Sequence, residues 1–264
     1  MSNKVTLPRL AEMKRNNEKF SCITCYDATF SAAINEANSE TILVGDALGM
    51  VLQGHDSTVP VTMEHMIYHT ESVVKANSKC LILSDLPFMS YTNEEEAINN
   101  AKKLLQAGAN VIKIEGDGTL APIVESLTKV GAPVCAHLGL TPQYINAIGN
   151  YRVFGKSEEE SNSIFQAAVA LEDAGAVILV LECVPEQLAK RITEAVSIPV
   201  IGIGSGKHTD GQVLVLHDLI GLTRRPPKFV KNFMEGQPSI QSAISSFVDS
   251  VKEGSFPEKE HTYT

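Results

Sequence analysis

A (β/α)8 TIM barrel is the fold this 264-residue sequence predicts, and three observations predict it. Eight short apolar runs recur along the chain, most of them separated by segments of helical character. Ala-Gly-Ala triplets at 107–109 and 174–176 each close a helical segment just before the next run. Several runs stop at one ionisable residue, as expected where the carboxyl ends of parallel strands open onto a single catalytic face.

Taken in order, Pro8 in a first turn predicts a short helix over 8–16, and strand one follows at 21–26. A helix over 29–37 leads to strand two at 41–45, which ends at Asp46 in Leu-Val-Gly-Asp-Ala-Leu-Gly. Thr62 is an N-cap for a helix reaching 76, with Glu64 at its positive end. Strand three, 80–84, stops at Asp85. Asn93 caps a helix to 106 whose first turn holds Glu94, Glu95 and Glu96, and Gly108 terminates it. Strand four is 110–114, then a helix over 120–130, then strand five at 133–136 running into His137.

The long 139–157 segment reads as a lid or an ordinary surface loop. A helix over 158–173 precedes strand six, 176–181, which stops at Glu182. A helix over 185–196, strand seven at 199–203 and strand eight at 212–216 complete the barrel. Helices over 227–235 and 239–252 and a polar tail close the chain. One joint fits poorly: about eight residues, 204–211, link strands seven and eight, where a parallel crossover usually takes a dozen or more. An open doubly wound sheet is the alternative. No domain boundary or low-complexity linker interrupts residues 1–264, so a single barrel domain with a short N-terminal helix and C-terminal helices is expected.

A net charge of −9 with no compensating basic tail argues against nucleic acid and anionic membrane as partners. No run approaches the length of a membrane span, and the start lacks a signal-peptide core, so a cytoplasmic protein is expected. Cys22 and Cys25 form a C-x-x-C pair. On an extended strand residues three apart face opposite ways, so the two thiols cannot share a metal and are expected to be inert core.

The candidate chemistry lies at the strand ends. Asp46, Asp85 and Glu115 follow three consecutive strands, Lys113 shares a strand face with Glu115, and His137 and Glu182 end the next two strands. Acids facing one another repel unless a cation lies between them. Carboxylates without paired His or Cys suit a hard ion, Mg2+ or else Mn2+. Lys113 is either a charge-balancing partner or a clamp for an anionic substrate. His137 is a ligand, a proton donor or a core histidine. His65 and His69 lie on a helix outside the barrel and are expected to be solvated. The Gly-Ile-Gly-Ser-Gly at 202–206 resembles a phosphate cradle or serves tight turning alone.

The strings L-V-G-D-A-L-G-M-V-L-Q-G-H-D-S-T-V-P-V-T, L-S-D-L-P-F-M-S-Y, V-I-K-I-E-G, A-H-L-G-L-T-P-Q, L-V-L-E-C-V-P and I-P-V-I-G-I-G-S-G, in this order, resemble the ketopantoate hydroxymethyltransferase family. The likeness runs from about Phe20 to the F-P-x-x-x-H tail at Phe256–His261. It implies a barrel of the phosphoenolpyruvate/pyruvate type, assembled as a cytoplasmic homo-oligomer, a decamer in bacterial members. The implied reaction passes a hydroxymethyl group from 5,10-methylenetetrahydrofolate to 3-methyl-2-oxobutanoate, giving 2-dehydropantoate in a Mg2+-dependent step of pantothenate synthesis. By the same resemblance Asp46 and Asp85 are metal ligands, with Glu115 in the metal's shell. Asp46, Ala47, Asp85, Lys113 and His137 contact or adjoin the oxo acid, and Glu182 accepts the proton. Ala47 departs from the serine that many members carry, which leaves only its backbone N–H to donate. A metal-dependent carbon–carbon lyase acting on a 2-oxo or 2-hydroxy acid on the same barrel is the alternative activity.

Overall fold

The computed structural model describes residues 4–264, so residues 1–3 of the expected domain lie outside it. Helix α1 (Leu7–Arg15) precedes β1 (Phe20–Thr24), and α2 (Ala28–Glu36) joins it to β2 (Thr41–Val44). The one-turn α3 (Leu48–Val51) and α4 (Met63–Ala76) lead to β3 (Leu81–Asp85), then α5 (Glu94–Gln106) to β4 (Val111–Glu115). Helix α6 (Ala121–Lys129) precedes β5 (Val134–Gly139), and α7 (Ile145–Ile148) and α8 (Glu158–Asp173) precede β6 (Ile178–Glu182). Helix α9 (Glu186–Ala195) leads to β7 (Val200–Ile203) and β8 (Gly211–Leu214), followed by α10 (Leu216–Leu219) and α11 (Ile240–Lys252).

All neighbouring strands pair in parallel and the sheet closes on itself in the order β1 to β8, which rules out the open doubly wound alternative. One contiguous core fills the space inside the barrel and beneath the helices, with Phe20, Ile23, Ile42, Ile82 and Phe247 fully buried in it. The helix starts follow local chemistry. Thr62 and Asn93 cap α4 and α5 as expected, their side chains accepting from His65 N–H and Glu96 N–H.

The joint is as short as the sequence indicates, and no helix joins β7 to β8. The short 204–210 link is instead stitched by side chains: Ser205 Oγ donates to the Leu181 carbonyl, and Gln212 Nε2 donates to Gly206 O and Thr209 Oγ1. Gly204 and Gly206 take φ of +62° and +76° there, and a Cβ on Gly206 would lie 2.5 Å from Glu186 Cγ, so these glycines serve turning and close packing. Residues 227–235 form turns rather than a helix, because Phe229 and Phe233 are each buried as separate anchors and Phe233 N–H donates to the Leu219 carbonyl. Strand β5 continues through His137 to Gly139, since its pairing with β6 extends to Gly139 opposite Glu182.

The polar tail packs back on the barrel. His261 and Thr262 are buried, and the Tyr263 carbonyl accepts from Glu186 N–H. His65 and His69 are half-buried rather than solvated, His65 closing a capping box with Thr62 and His69 Nδ1 lying 2.7 Å from the Tyr26 carbonyl. The five cysteines are free and buried as expected, and burial pushes the Cys22, Cys25 and Cys80 thiols up to about 12. Among the described residues, no helix is long and apolar enough to cross a membrane.

Candidate active site

Barrel register, not sequence proximity, assembles the site. Asp85 pairs across to Lys113, and Glu115 pairs to His137, so two cation–carboxylate couples are set by adjacent parallel strands. Lys113 Nζ donates to Asp85 Oδ1 at 2.7 Å with both side chains almost fully buried. Asp46, two residues past β2, donates its backbone N–H to the other Asp85 oxygen at 3.1 Å. The Asp46 carboxylate accepts from Gln143 Nε2 at 2.8 Å. His137 lies between two acids, with Nδ1 3.1 Å from Glu115 Oε2 and Nε2 3.2 Å from Glu182 Oε2. The second contact is close but off hydrogen-bond alignment, so Nε2 lacks a proper acceptor.

All six groups lie on one cavity of about 910 Å3, which also takes in Ala47, Tyr151, Phe229 and Tyr263. Asp46, Asp85, Lys113, Glu115 and His137 form its buried floor, while Glu182 is more open than the three floor acids, its side chain 16% exposed. Cys183 follows Glu182 in left-handed backbone (φ +49°), a turn that redirects the chain as it leaves the strand. Gly139 sits against Glu182: a Cβ there would lie 2.2 Å from the Glu182 carbonyl oxygen. Among the described residues no acceptor takes the Ala47 N–H.

The electrostatics follow from burial and crowding. Burial, then repulsion from Asp85 and Glu115, raises the Asp46 pKa well above the ordinary carboxylate value. Burial also raises Asp85, against the pull of Lys113. Burial opposes the charge on Lys113, yet Asp85, Glu115 and Asp46 outweigh it and its pKa rises. Glu115 is lowered despite burial, because His137, Lys113 and the Gln143 N–H favour its anion. Burial would lower His137, but hydrogen bonding to Glu115 and the proximity of Glu182 bring it up to about 9, so it is an imidazolium at neutral pH.

A profile of the ketopantoate hydroxymethyltransferase family matches residues 4–259. The chain belongs to that family. The 3-methyl-2-oxobutanoate hydroxymethyltransferase 2 of Pseudomonas entomophila (strain L48) is 55% identical over 98% of both chains. The 3-methyl-2-oxobutanoate hydroxymethyltransferase of Psychrobacter arcticus is 51% identical over 98% of this chain and 99% of its own. Among solved structures, a phosphonopyruvate hydrolase aligns with TM-score 0.64 at 12% identity, covering 95% of this chain and 96% of its own. A 2,3-dimethylmalate lyase of the PEP mutase/isocitrate lyase superfamily aligns with TM-score 0.59 at 14% identity, covering 95% and 98%. These two share the barrel fold.

For this hydroxymethyltransferase family member the structure adds one residue that the strand-end pattern did not single out, Gln143. It is buried on the 3-10 turn Pro142–Tyr144 that follows β5. Its backbone N–H donates to Glu115 Oε1 at 2.6 Å, and its amide nitrogen donates to both Asp46 Oδ2 and the Leu86 carbonyl. Its amide oxygen lies 2.6 Å from the Tyr91 hydroxyl. Gln143 thus ties together the ends of β2, β3 and β4. Its signal in the sequence was the T-P-Q string, where Thr141-Pro142 starts a turn.

Gln143→Leu leaves the Asp46 carboxylate, the Leu86 carbonyl and one Tyr91 contact without their partner. At about 1–3 kcal/mol per stranded buried group, a loss on the order of 3 kcal/mol is expected in urea denaturation. A loss under about 0.5 kcal/mol would show that the network is solvent-satisfied.

The His137 environment sets a pH dependence. Its pKa is about 9 folded against about 6.5 in an unfolded chain. A raised pKa means that this stabilisation is complete below about pH 6.5 and disappears as pH rises through 9. Metal-free protein is expected to lose stability over that window at up to about 1.4 kcal/mol per pH unit. His137→Gln should flatten the profile, as measured by denaturation at successive pH values. An equally steep slope in that variant would assign the window to another group.

Proposed function

We propose that this chain, as one barrel domain, transfers a hydroxymethyl group from 5,10-methylenetetrahydrofolate to 3-methyl-2-oxobutanoate, giving 2-dehydropantoate. Its full-length relatives carry the name of that transferase. The observation that carries the reading is the shared floor of the cavity, where a crowded carboxylate pair and a buried lysine adjoin an accessible carboxylate beside an imidazolium. The first set suits an oxo acid's anionic end, and Glu182 suits its C–H.

The floor also fits a hard divalent cation, Mg2+ or Mn2+. Two buried carboxylates, Asp46 and Asp85, stand side by side with their pKa values raised, the condition that a cation between them relieves. Among the described residues no three His, Cys, Asp or Glu side chains converge as a closed cage. A Mg2+ site with one or two protein carboxylates, completed by water and substrate, needs none. Asp46 and Asp85 would hold the ion. Glu115, with both oxygens engaged by Gln143 and His137, would act on it through water. When bound, the ion draws electron density from the substrate's keto group and so makes the neighbouring C–H more acidic.

The chain's own residues do the rest. Lys113 and the free Ala47 N–H supply positive potential for the oxo acid's carboxylate. Glu182 takes the C3 proton as general base, with the His137 imidazolium 3.2 Å from it. The deprotonated carbon joins the donor's methylene carbon. Water supplies the product's hydroxyl oxygen, and the released tetrahydrofolate nitrogens take up the two protons. We further infer a cytoplasmic homo-oligomer, as the family resemblance implies.

An assay of purified protein with oxo acid and methylenetetrahydrofolate, with and without chelator, tests the reading. Turnover should require the donor and vanish with chelator. Turnover of the oxo acid without donor would instead indicate a carbon–carbon lyase.

A further inference from the structure

The cavity is larger than the oxo acid needs. At about 30 Å3 per non-hydrogen atom, as in liquid water, a five-carbon oxo acid takes up roughly a quarter of its 910 Å3. The lining grades outward from the buried floor to half-buried His217 and Asp218 on α10, and then to exposed lips. The lips mix apolar side chains with the exposed charged groups of Asp56, Arg152 and Arg225. Leu222 is 64% exposed, and Tyr151 (46%) lies with its hydroxyl 3.9 Å from Met50 Sδ.

Asp218 is the polar group of this middle level that no other interaction accounts for. The hydrogen bond from Thr223 Oγ1 is the only one its carboxylate receives among the described residues. Beside it, His217 Nδ1 is buried without a hydrogen-bond partner, its ring 5.9 Å from that of Tyr26. A half-buried carboxylate with Leu222, Met50 and Tyr151 exposed on the same cavity suits a flat heteroaromatic ring with apolar faces and one edge of N–H donors. Burial raises the Asp218 pKa, the mark of a carboxylate held away from water.

We propose that Asp218 recognises the fused heterocycle of the one-carbon donor, accepting hydrogen bonds from its 2-amino group and adjacent ring N–H. The assignment rests on the reading that the donor is a tetrahydrofolate. Leu222, Met50 and Tyr151 cover the ring faces, and the deeper floor is left to the oxo acid. A carboxylate paired with an amino group and a ring N–H rejects a ring lacking either, because the buried oxygen is then left unsatisfied.

The test combines Asp218→Ala and Thr223→Val with two readouts. Exchange of the C3 hydrogen of the oxo acid with deuterated water needs no donor, and titration with tetrahydrofolate needs no turnover. Asp218→Ala should weaken tetrahydrofolate binding and raise the donor KM tenfold or more, with exchange and oxo-acid KM within twofold of wild type. Thr223→Val removes the internal hydrogen bond but keeps the carboxylate, so donor binding should stay within threefold. A tetrahydrofolate analogue lacking the 2-amino group should bind wild type and Asp218→Ala alike.

Unchanged tetrahydrofolate affinity in Asp218→Ala overturns the proposal. So does an equal loss in Thr223→Val, or a matching loss of exchange, because either marks a merely structural role. Should wild type bind tetrahydrofolate yet neither exchange nor turn over the oxo acid, the functional reading fails while the binding titration still decides on Asp218.

Discussion

Glu182→Gln is expected to abolish exchange of the C3 hydrogen of 3-methyl-2-oxobutanoate with deuterated water while leaving the fold intact. The amide has the shape of the carboxylate and still offers an oxygen to His137 Nε2, now at 3.2 Å from Glu182 Oε2. It cannot take up the proton. A positioned general base contributes about 10²–10⁴-fold, so the exchange rate should fall by at least about 10². The site geometry supports the choice of Glu182 over its neighbours. Asp85 is occupied by Lys113 and the Asp46 N–H, and both Glu115 oxygens are engaged, whereas Glu182 is the most open of the strand-end acids. Divalent-ion affinity and melting temperature serve as controls and should change little. Undiminished exchange would remove Glu182 as the base.

Asp85→Ala should produce the largest combined loss of ion affinity and stability. Asp85 accepts from Lys113 on one oxygen and from the Asp46 N–H on the other, at the end of β3. Its removal takes away one of the two carboxylates assigned to the cation, so Mg2+ affinity by calorimetry should fall well beyond tenfold. It also leaves Lys113, whose side chain is 6% exposed, as a buried cation without its closest partner. Breaking a buried pair from one side costs about 3–5 kcal/mol, measurable in urea. Asp85→Asn keeps an acceptor for Lys113 and should restore part of the stability but not the ion affinity. Unchanged affinity in both variants would dismiss Asp85 as a ligand.

The contrast between Glu115 and Asp85 shows what strand-end acids can and cannot say from position alone. Both end a strand, on neighbouring strands of the barrel, and both are nearly fully buried. Only the neighbours distinguish them: Glu115 is held between an imidazolium and a turn N–H, Asp85 between a lysine and the next acid's backbone. Lys113 likewise had two readings in the sequence. The ion pair to Asp85 is present, and the same ammonium lies on the cavity, so charge balance and substrate contact are compatible roles.

The sequence by itself determined most of the strands and helices and the strand-end positions of the acids, and it pointed to the barrel whose closure the structure then decided. Apolar runs, caps such as Thr62 and Asn93, and helix-ending glycines act within a few residues of where they stand, so local pattern suffices to read them. Tertiary structure alone decided the central place of Gln143, which reaches Asp46 across 97 residues of chain, and the return of the tail against Glu186. It also decided that 227–235 would be anchored by two phenylalanines instead of coiling into a helix. The physical reason is common to all three: each depends on partners that only barrel closure brings within hydrogen-bond or packing distance, and no periodicity in the chain encodes a neighbour that far away.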